Sequence, residues 1–175
     1  LRYDCTIEDL RDYYMERYKW DRTVYNKIDE DGFMRASSGL LPGARRRLQK
    51  LRCGWLAVNR RVAWTDPDHL PGCAECSPTH MHEETVDHIF QCPGRERRSQ
   101  LLAALDDMVT QFTKWYTDEA IVHAMYTGAR AWIEGHAIPT AEELELPNSE
   151  IGRLTAVAYD DQTTIGWHTF FRGFW

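Results

Sequence analysis

The chain has 175 residues, 43% of them hydrophobic, with seven tryptophans, eight tyrosines, six phenylalanines and a formal net charge of -6. That is too apolar and aromatic for a disordered polymer, and long enough for one domain with a real core. No apolar run approaches the roughly 18 residues that span a bilayer, so no membrane partner is expected.

After Thr6, a candidate N-cap followed by Glu8 and Asp9, the spacing of Leu10, Tyr14 and Arg17 or Tyr18 predicts a helix over about 7 to 19. "WDRTVYNKIDEDGF" then predicts a turn, a short helix from Thr23, and a loop around Asp31-Gly32. Pro42 fits the first turn of a second long helix. Leu48, Leu51 and Trp55 share one face of it, while Arg45, Arg46, Lys50 and Arg52 lie largely off that face. "TDPDHLPG" breaks the pattern before a cysteine-rich loop, and "CPG" at 92 to 94 breaks it afterwards.

Beyond Arg95, the series Leu101, Leu105, Met108, Val109, Phe112 and Tyr116 is a helical stripe. Thr117, with Asp118 and Glu119 behind it, reads as the cap of a further helix ending near Glu134. "GHAIPTAEELELPNSE" is a connector, and the remaining stretch is helical with an interruption near Gly166. Within it "AYDD" at 158 to 161 approaches a polymerase Tyr-x-Asp-Asp, but Ala158 stands where tyrosine is required, and the segment reads as a solvated helix edge. The expected fold is mainly α: several amphipathic helices around a small Cys3His zinc-binding loop, with room for a short β-hairpin at the Cys-x2-Cys turn. Three segments are expected within one compact domain: an N-terminal helical part (1–41), a basic helix with the zinc-binding module (42–97) and a C-terminal helical part (98–175).

The opening "LRYDCTIEDL" lacks an initiator methionine and a signal-peptide core, and "IGWHTFFRGFW" stops without a polar tail, so a piece of a longer chain is expected. Of the five cysteines, three are bunched and two, Cys5 and Cys53, stand alone. That is unlike a disulfide framework and suits a reducing, intracellular compartment, nuclear or cytoplasmic.

The bunched cysteines lie in "CAECSPTHMHEETVDHIFQC", residues 73 to 92. A Cys-x2-Cys turn brings two thiolates to one point, and Cys73 and Cys76 have that spacing. His88 and Cys92, four apart, face the same way on a helix and close the tetrahedron. The set Cys73, Cys76, His88 and Cys92 is therefore the expected Zn2+ site. His80 and His82 lack a cysteine partner four residues on and are read as neighbours of the site or solvent-facing residues. Four protein ligands leave no position for water, so the zinc is expected to be structural and the chain not to be an enzyme. Its binding would then supply folding energy on the order of 10 kcal/mol or more.

Sharper readings fail on spacing. A zincin requires a second histidine where Val86 stands, a zinc deaminase places its His-x-Glu before the cysteine pair, and a retroviral-type knuckle needs histidine where Met81 stands. "VDHI" resembles the Asp-His of HNH nucleases, yet a second cysteine pair and well-placed downstream Asn and His are missing, and His88 cannot be both ligand and base.

The net charge argues against nucleic acid, but its distribution does not: "GARRRLQKLRCGWLAVNRR" holds seven Lys/Arg and no acid. Arg45, Arg46, Arg47, Lys50, Arg52, Arg60 and Arg61 are the candidate phosphate-binding residues. Trp55 and Trp64 read as core residues, with base stacking as the alternative.

Leu51, Trp55 and Leu56, the Cys73/Cys76 pair, Glu84-Thr85 before His88, and Cys92-Pro93 together resemble the zinc-binding domain downstream of the reverse transcriptase in non-LTR retrotransposon polyproteins. The likeness spans about Leu48 to Arg97; "WDRTVYNKID" and the final residues resemble flanks in such proteins less specifically. It implies zinc-ligand roles for Cys73, Cys76, His88 and Cys92, RNA or DNA as partner, and a reverse-transcriptase region upstream. Ala74 departs from the family's proline, and the acidic "HEETVD" would repel phosphate. A zinc-braced protein-interaction module is the alternative, and an HNH-like nuclease a further one.

Overall fold

The computed structural model describes residues 7–76 and 82–174. Thr6, the expected first cap, and Cys5 lie outside them, as do His80 and Met81. Among the described residues the chain is mainly α-helical: α1 (Ile7–Tyr18), α2 (Arg22–Tyr25), α3 (Glu30–Ser38), α4 (Pro42–Arg52), α5 (Asn59–Val62), α6 (Val86–Gln91), α7 (Arg95–Lys114), α8 (Glu119–Glu134), α9 (Glu150–Ile165) and a 3-10 helix (Trp167–Arg172). None of these helices is long and apolar enough to cross a membrane. Where the sequence left room for a short hairpin at the Cys-x2-Cys turn, the described residues form an isolated antiparallel bridge, Gly72 with Glu83. The chain forms two compact units: Leu1–Cys53 with Asp161–Trp175, and Gly54–Asp160.

The first unit is an aromatic cluster. Tyr14, Trp20, Ile28, Ile165 and Phe174 are its buried centre. The Phe174 ring stands edge-on to Tyr14 at 4.8 Å and to Trp20 at 5.2 Å, the arrangement the ring quadrupoles favour. The Trp20 indole donates to the Ile165 carbonyl at 3.0 Å, which ties the start of the chain to its end.

Local chemistry moved several expected boundaries. Asp31-Gly32 is not a loop but the first turn of α3, because the Asp29 carboxylate accepts the Gly32 N–H at 2.8 Å and caps the helix there. α4 stops at Arg52, so Trp55 is not on its apolar face. The carbonyls left over at that end accept from Tyr18 (to Arg52, 2.7 Å) and Tyr13 (to Cys53, 2.9 Å), which removes the need for a further turn. At 158–161, Tyr159 is buried and Asp161 is paired with Lys27, so only part of that edge is solvated. The interruption at Gly166 falls where expected, at a φ of 104° that side chains rarely adopt.

The second unit is built on α7 and α8, which pack on each other. α8 buries Ala120, Ala124 and Gly128 at four-residue intervals, a small-residue face that lets a neighbouring helix come close, and Leu105 of α7 is buried. The stripe's last member, Tyr116, is not in α7: the helix ends at Lys114 and Tyr116 turns left-handed at φ 57°, almost wholly exposed. Asp118, not Thr117, caps α8, its carboxylate accepting the Ala120 N–H at 2.9 Å. The short α6 packs on both long helices, with the Phe90 ring 6.4 Å from that of Trp132 and the Gln91 amide donating to the Trp132 carbonyl at 3.4 Å.

Candidate metal centre

Each of the four expected ligands is delivered by a local feature. Cys73 donates its N–H to the His82 carbonyl at 2.9 Å and Glu84 donates to the Pro71 carbonyl at 2.8 Å, so the two arms of the loop are fastened beside the Gly72–Glu83 bridge. Cys76 follows at the end of a tight turn, its N–H donating to the Cys73 carbonyl at 3.3 Å. Thr85 then caps α6, its hydroxyl accepting from the His88 N–H at 3.0 Å, which sets the start of the helix that carries the histidine. Cys92 terminates that helix, and its sulfur accepts the Gly94 N–H at 3.4 Å.

The resulting group is compact. Around one tetrahedral ion, with metal–sulfur bonds of about 2.3 Å and metal–nitrogen bonds of about 2.0 Å, sulfurs stand about 3.8 Å apart and sulfur and nitrogen about 3.5 Å apart. Cys73 Sγ and Cys92 Sγ are 3.7 Å apart, Cys76 Sγ and Cys92 Sγ 3.8 Å, and Cys76 Sγ and His88 Nε2 3.3 Å. All four ligand atoms lie within 4.8 Å of one another, so Cys73, Cys76, His88 and Cys92 could hold a single metal ion.

Protonation agrees with that role. His88 is lowered by burial, by His82 and by Arg97, against the pull of Glu84, so its imidazole is neutral at pH 7 and has a lone pair to give. Burial and then the other two sulfurs push the Cys76 thiol up to about 12. Burial also raises Cys73, but hydrogen bonds from the Glu75 N–H, the Cys92 thiol and the Cys76 N–H outweigh it and leave the thiol lowered. Two neighbouring thiolates repel, and a shared cation relieves them; loading the site therefore expels protons.

Around the group runs a polar brace that spacing alone did not reveal. The Glu84 carboxylate accepts the Asn59 N–H at 3.2 Å and pairs with Arg97 at 3.2 Å. Asn59 Nδ2 donates to the Gly72 carbonyl at 2.8 Å, Asn59 Oδ1 meets His69 Nε2 at 3.0 Å, and Arg60 donates its N–H to the Glu84 carbonyl at 3.3 Å. α5 is thereby bound to both arms of the loop. Asn59, His69 and Arg97 carry no spacing signal, because the groups they bond are 10 to 25 residues away. His82 is exposed with its ring 5.5 Å from that of His88.

The basic residues differ in their surroundings. Arg46, Arg47 and Lys50 are exposed on α4. Arg45, also exposed, donates to the carbonyls of Ser37 (3.1 Å), Ser38 and Leu40, closing the C-terminal end of α3. Arg52 is 1% exposed: it makes two 2.8 Å bonds to Glu30, with its guanidinium over Phe33 and Phe174, and it is not available to phosphate. Arg60 and Arg61 belong to the other compact unit, where Arg60 pairs with Glu83 at 3.2 Å. Trp55 and Trp64, expected in the core, are 51% and 69% exposed.

No protein-family model, curated protein or solved structure matches the chain.

Proposed function

We propose that the chain is a non-catalytic, zinc-stabilised nucleic-acid-binding region of a retroelement reverse-transcriptase polyprotein, or of a protein derived from one. The observation that carries the reading is the gathering of Cys73, Cys76, His88 and Cys92 within 4.8 Å of one another, with the Cys73–Cys92, Cys76–Cys92 and Cys76–His88 separations close to those around one tetrahedral ion. Three sulfurs and one imidazole suit zinc among the common divalent ions. Four protein donors saturate it, so the ion braces the loop and binds no substrate. The exposed cations Arg46, Arg47 and Lys50, with Arg45 beside them, would supply the phosphate contacts. An upstream reverse-transcriptase region is the partner that the resemblance implies.

The test is binding of labelled RNA and DNA across a salt series, with zinc content measured in parallel. One zinc per chain is expected, with affinity falling steeply as salt rises and abolished by charge reversal at the exposed Arg46, Arg47 and Lys50. No binding at low salt would remove the function and leave the metal. A second reading, a zinc-braced protein-interaction module, draws on the net charge of -6 and on the exposed row Ile151, Leu154 and Val157 along α9. Under it the charge reversal leaves partner binding intact. A nuclease would require magnesium-dependent nicking that His88→Ala removes without loss of fold.

A further inference from the structure

Two exposed tryptophans and an arginine meet on the second unit. The Arg61 guanidinium carbon lies 4.9 Å from the Trp55 ring centre and 5.6 Å from that of Trp64. Both rings are more than half exposed although tryptophan is costly to leave in water, and Arg61 stands between them in sequence on α5. α5 is a single turn that would not hold its shape alone. It is held by the Asn59, Arg60 and Glu84 bonds to the two arms of the cysteine-bearing loop, so the position of Arg61 is tied to that loop.

We propose that Trp55, Arg61 and Trp64 form a platform on which unpaired bases of a single-stranded nucleic acid stack. The proposal rests on the nucleic-acid reading above and names the form of nucleic acid recognised. The guanidinium selects the ligand. Exposed tryptophans would otherwise accept an organic cation, but a positive charge already at their faces repels one. A flat π-system that carries its own negative charge is attracted by both parts of the platform, and a nucleotide is such a ligand. Arg60 adds a second cation, its surface pair with Glu83 weak enough for a phosphate to replace.

The surroundings favour a single strand over a duplex. Asp66 and Asp68, both exposed, follow Trp64 closely and reduce the phosphate attraction here. Stacking must then carry the affinity that this platform adds, and only unpaired bases present a free face to an aromatic ring. Duplex bases are stacked on each other and offer these rings nothing.

The experiment compares a labelled oligothymidylate single strand with its oligoadenylate duplex on the full chain, for the wild type, Trp55→Ala/Trp64→Ala and Trp115→Ala. Trp115 is 68% exposed on the same unit and controls for loss of any surface tryptophan. Metal content and helicity, measured on every sample, show whether the fold has survived. The expected result is a loss of about 5- to 100-fold in single-strand affinity for the double variant. Its duplex affinity and salt slope stay as they were, and Trp115→Ala behaves as wild type. Unchanged single-strand affinity in a folded, metal-bearing double variant overturns the platform while the nucleic-acid reading stands. A wild-type chain that binds neither probe at low salt overturns both.

Discussion

A methyl group at position 94 would lie 2.9 Å from Glu75 Cβ, 3.0 Å from the Glu75 carbonyl oxygen and 3.3 Å from Cys92 Sγ. None of these atoms is the free end of a flexible side chain, so Gly94→Ala must displace the Cys-x2-Cys turn or the Cys92 sulfur. Metal affinity measured by chelator competition is expected to fall about 10-fold or more, the range seen when groups that orient ligands are disturbed. Unchanged affinity would mean that the turn is not held as described. Arg52 makes the opposite point about legibility. In sequence it is one more cation in a basic run, and only the fold brings Glu30, Phe33 and Phe174 to it. Arg52→Ala is expected to destabilise the chain by about 3 kcal/mol in denaturant melts, since it leaves Glu30 without its cation, with only the Tyr25 hydroxyl still bonded to it, and opens a space among rings. Arg46→Ala and Arg47→Ala should stay within about 0.5 kcal/mol of wild type. The Cys3His cluster was readable because cysteine is scarce and each pair is local, whereas buried charge depends on distant partners.

The helices themselves were largely legible, since a 3.6-residue apolar period survives whatever packs against it. Their ends were not. α3 begins earlier than the Asp-Gly pair suggested because Asp29 caps it, and α4 ends before Trp55 because two tyrosines from α1 take its last carbonyls. Both outcomes turn on side chains that terminate the helix, which periodicity does not see. α5 illustrates the same dependence: one turn long, it owes its place to Asn59 and to Glu84. Asn59→Ala is expected to retain the metal and lower single-strand affinity several-fold, because the bond to the Gly72 carbonyl that fixes α5 is gone. Equal binding by that variant would detach the platform from the metal loop. Thr85→Ala removes the α6 cap and should cost about 1 kcal/mol of stability.

For the molecule as a whole, the division into two units was the least readable feature. The first unit's core joins residues 145 positions apart, through Trp20 and Ile165, and no local pattern reports such a closure. The Cys3His group that could hold the ion belongs wholly to Gly54–Asp160, so chelation of a bound metal is expected to raise amide exchange around residues 58–62 and 82–92 while leaving that of α1 unchanged. Uniform deprotection would argue that the ion stabilises more than its own unit. Acid should act in the same place. The Cys76 thiol, pushed up to about 12 without metal, must lose its proton to bind, so affinity rises with pH and the ion is released as pH falls. Titration with a coloured zinc indicator checks the sign, and an affinity that falls as pH rises would contradict it.

The most direct test is zinc-edge X-ray absorption on the purified, folded chain with metal counted in the same sample. One zinc per chain is expected, with three sulfurs at about 2.3 Å and one nitrogen at about 2.0 Å. A folded chain without stoichiometric metal, or an ion whose shell is mainly oxygen, would contradict a closed site made by Cys73, Cys76, His88 and Cys92.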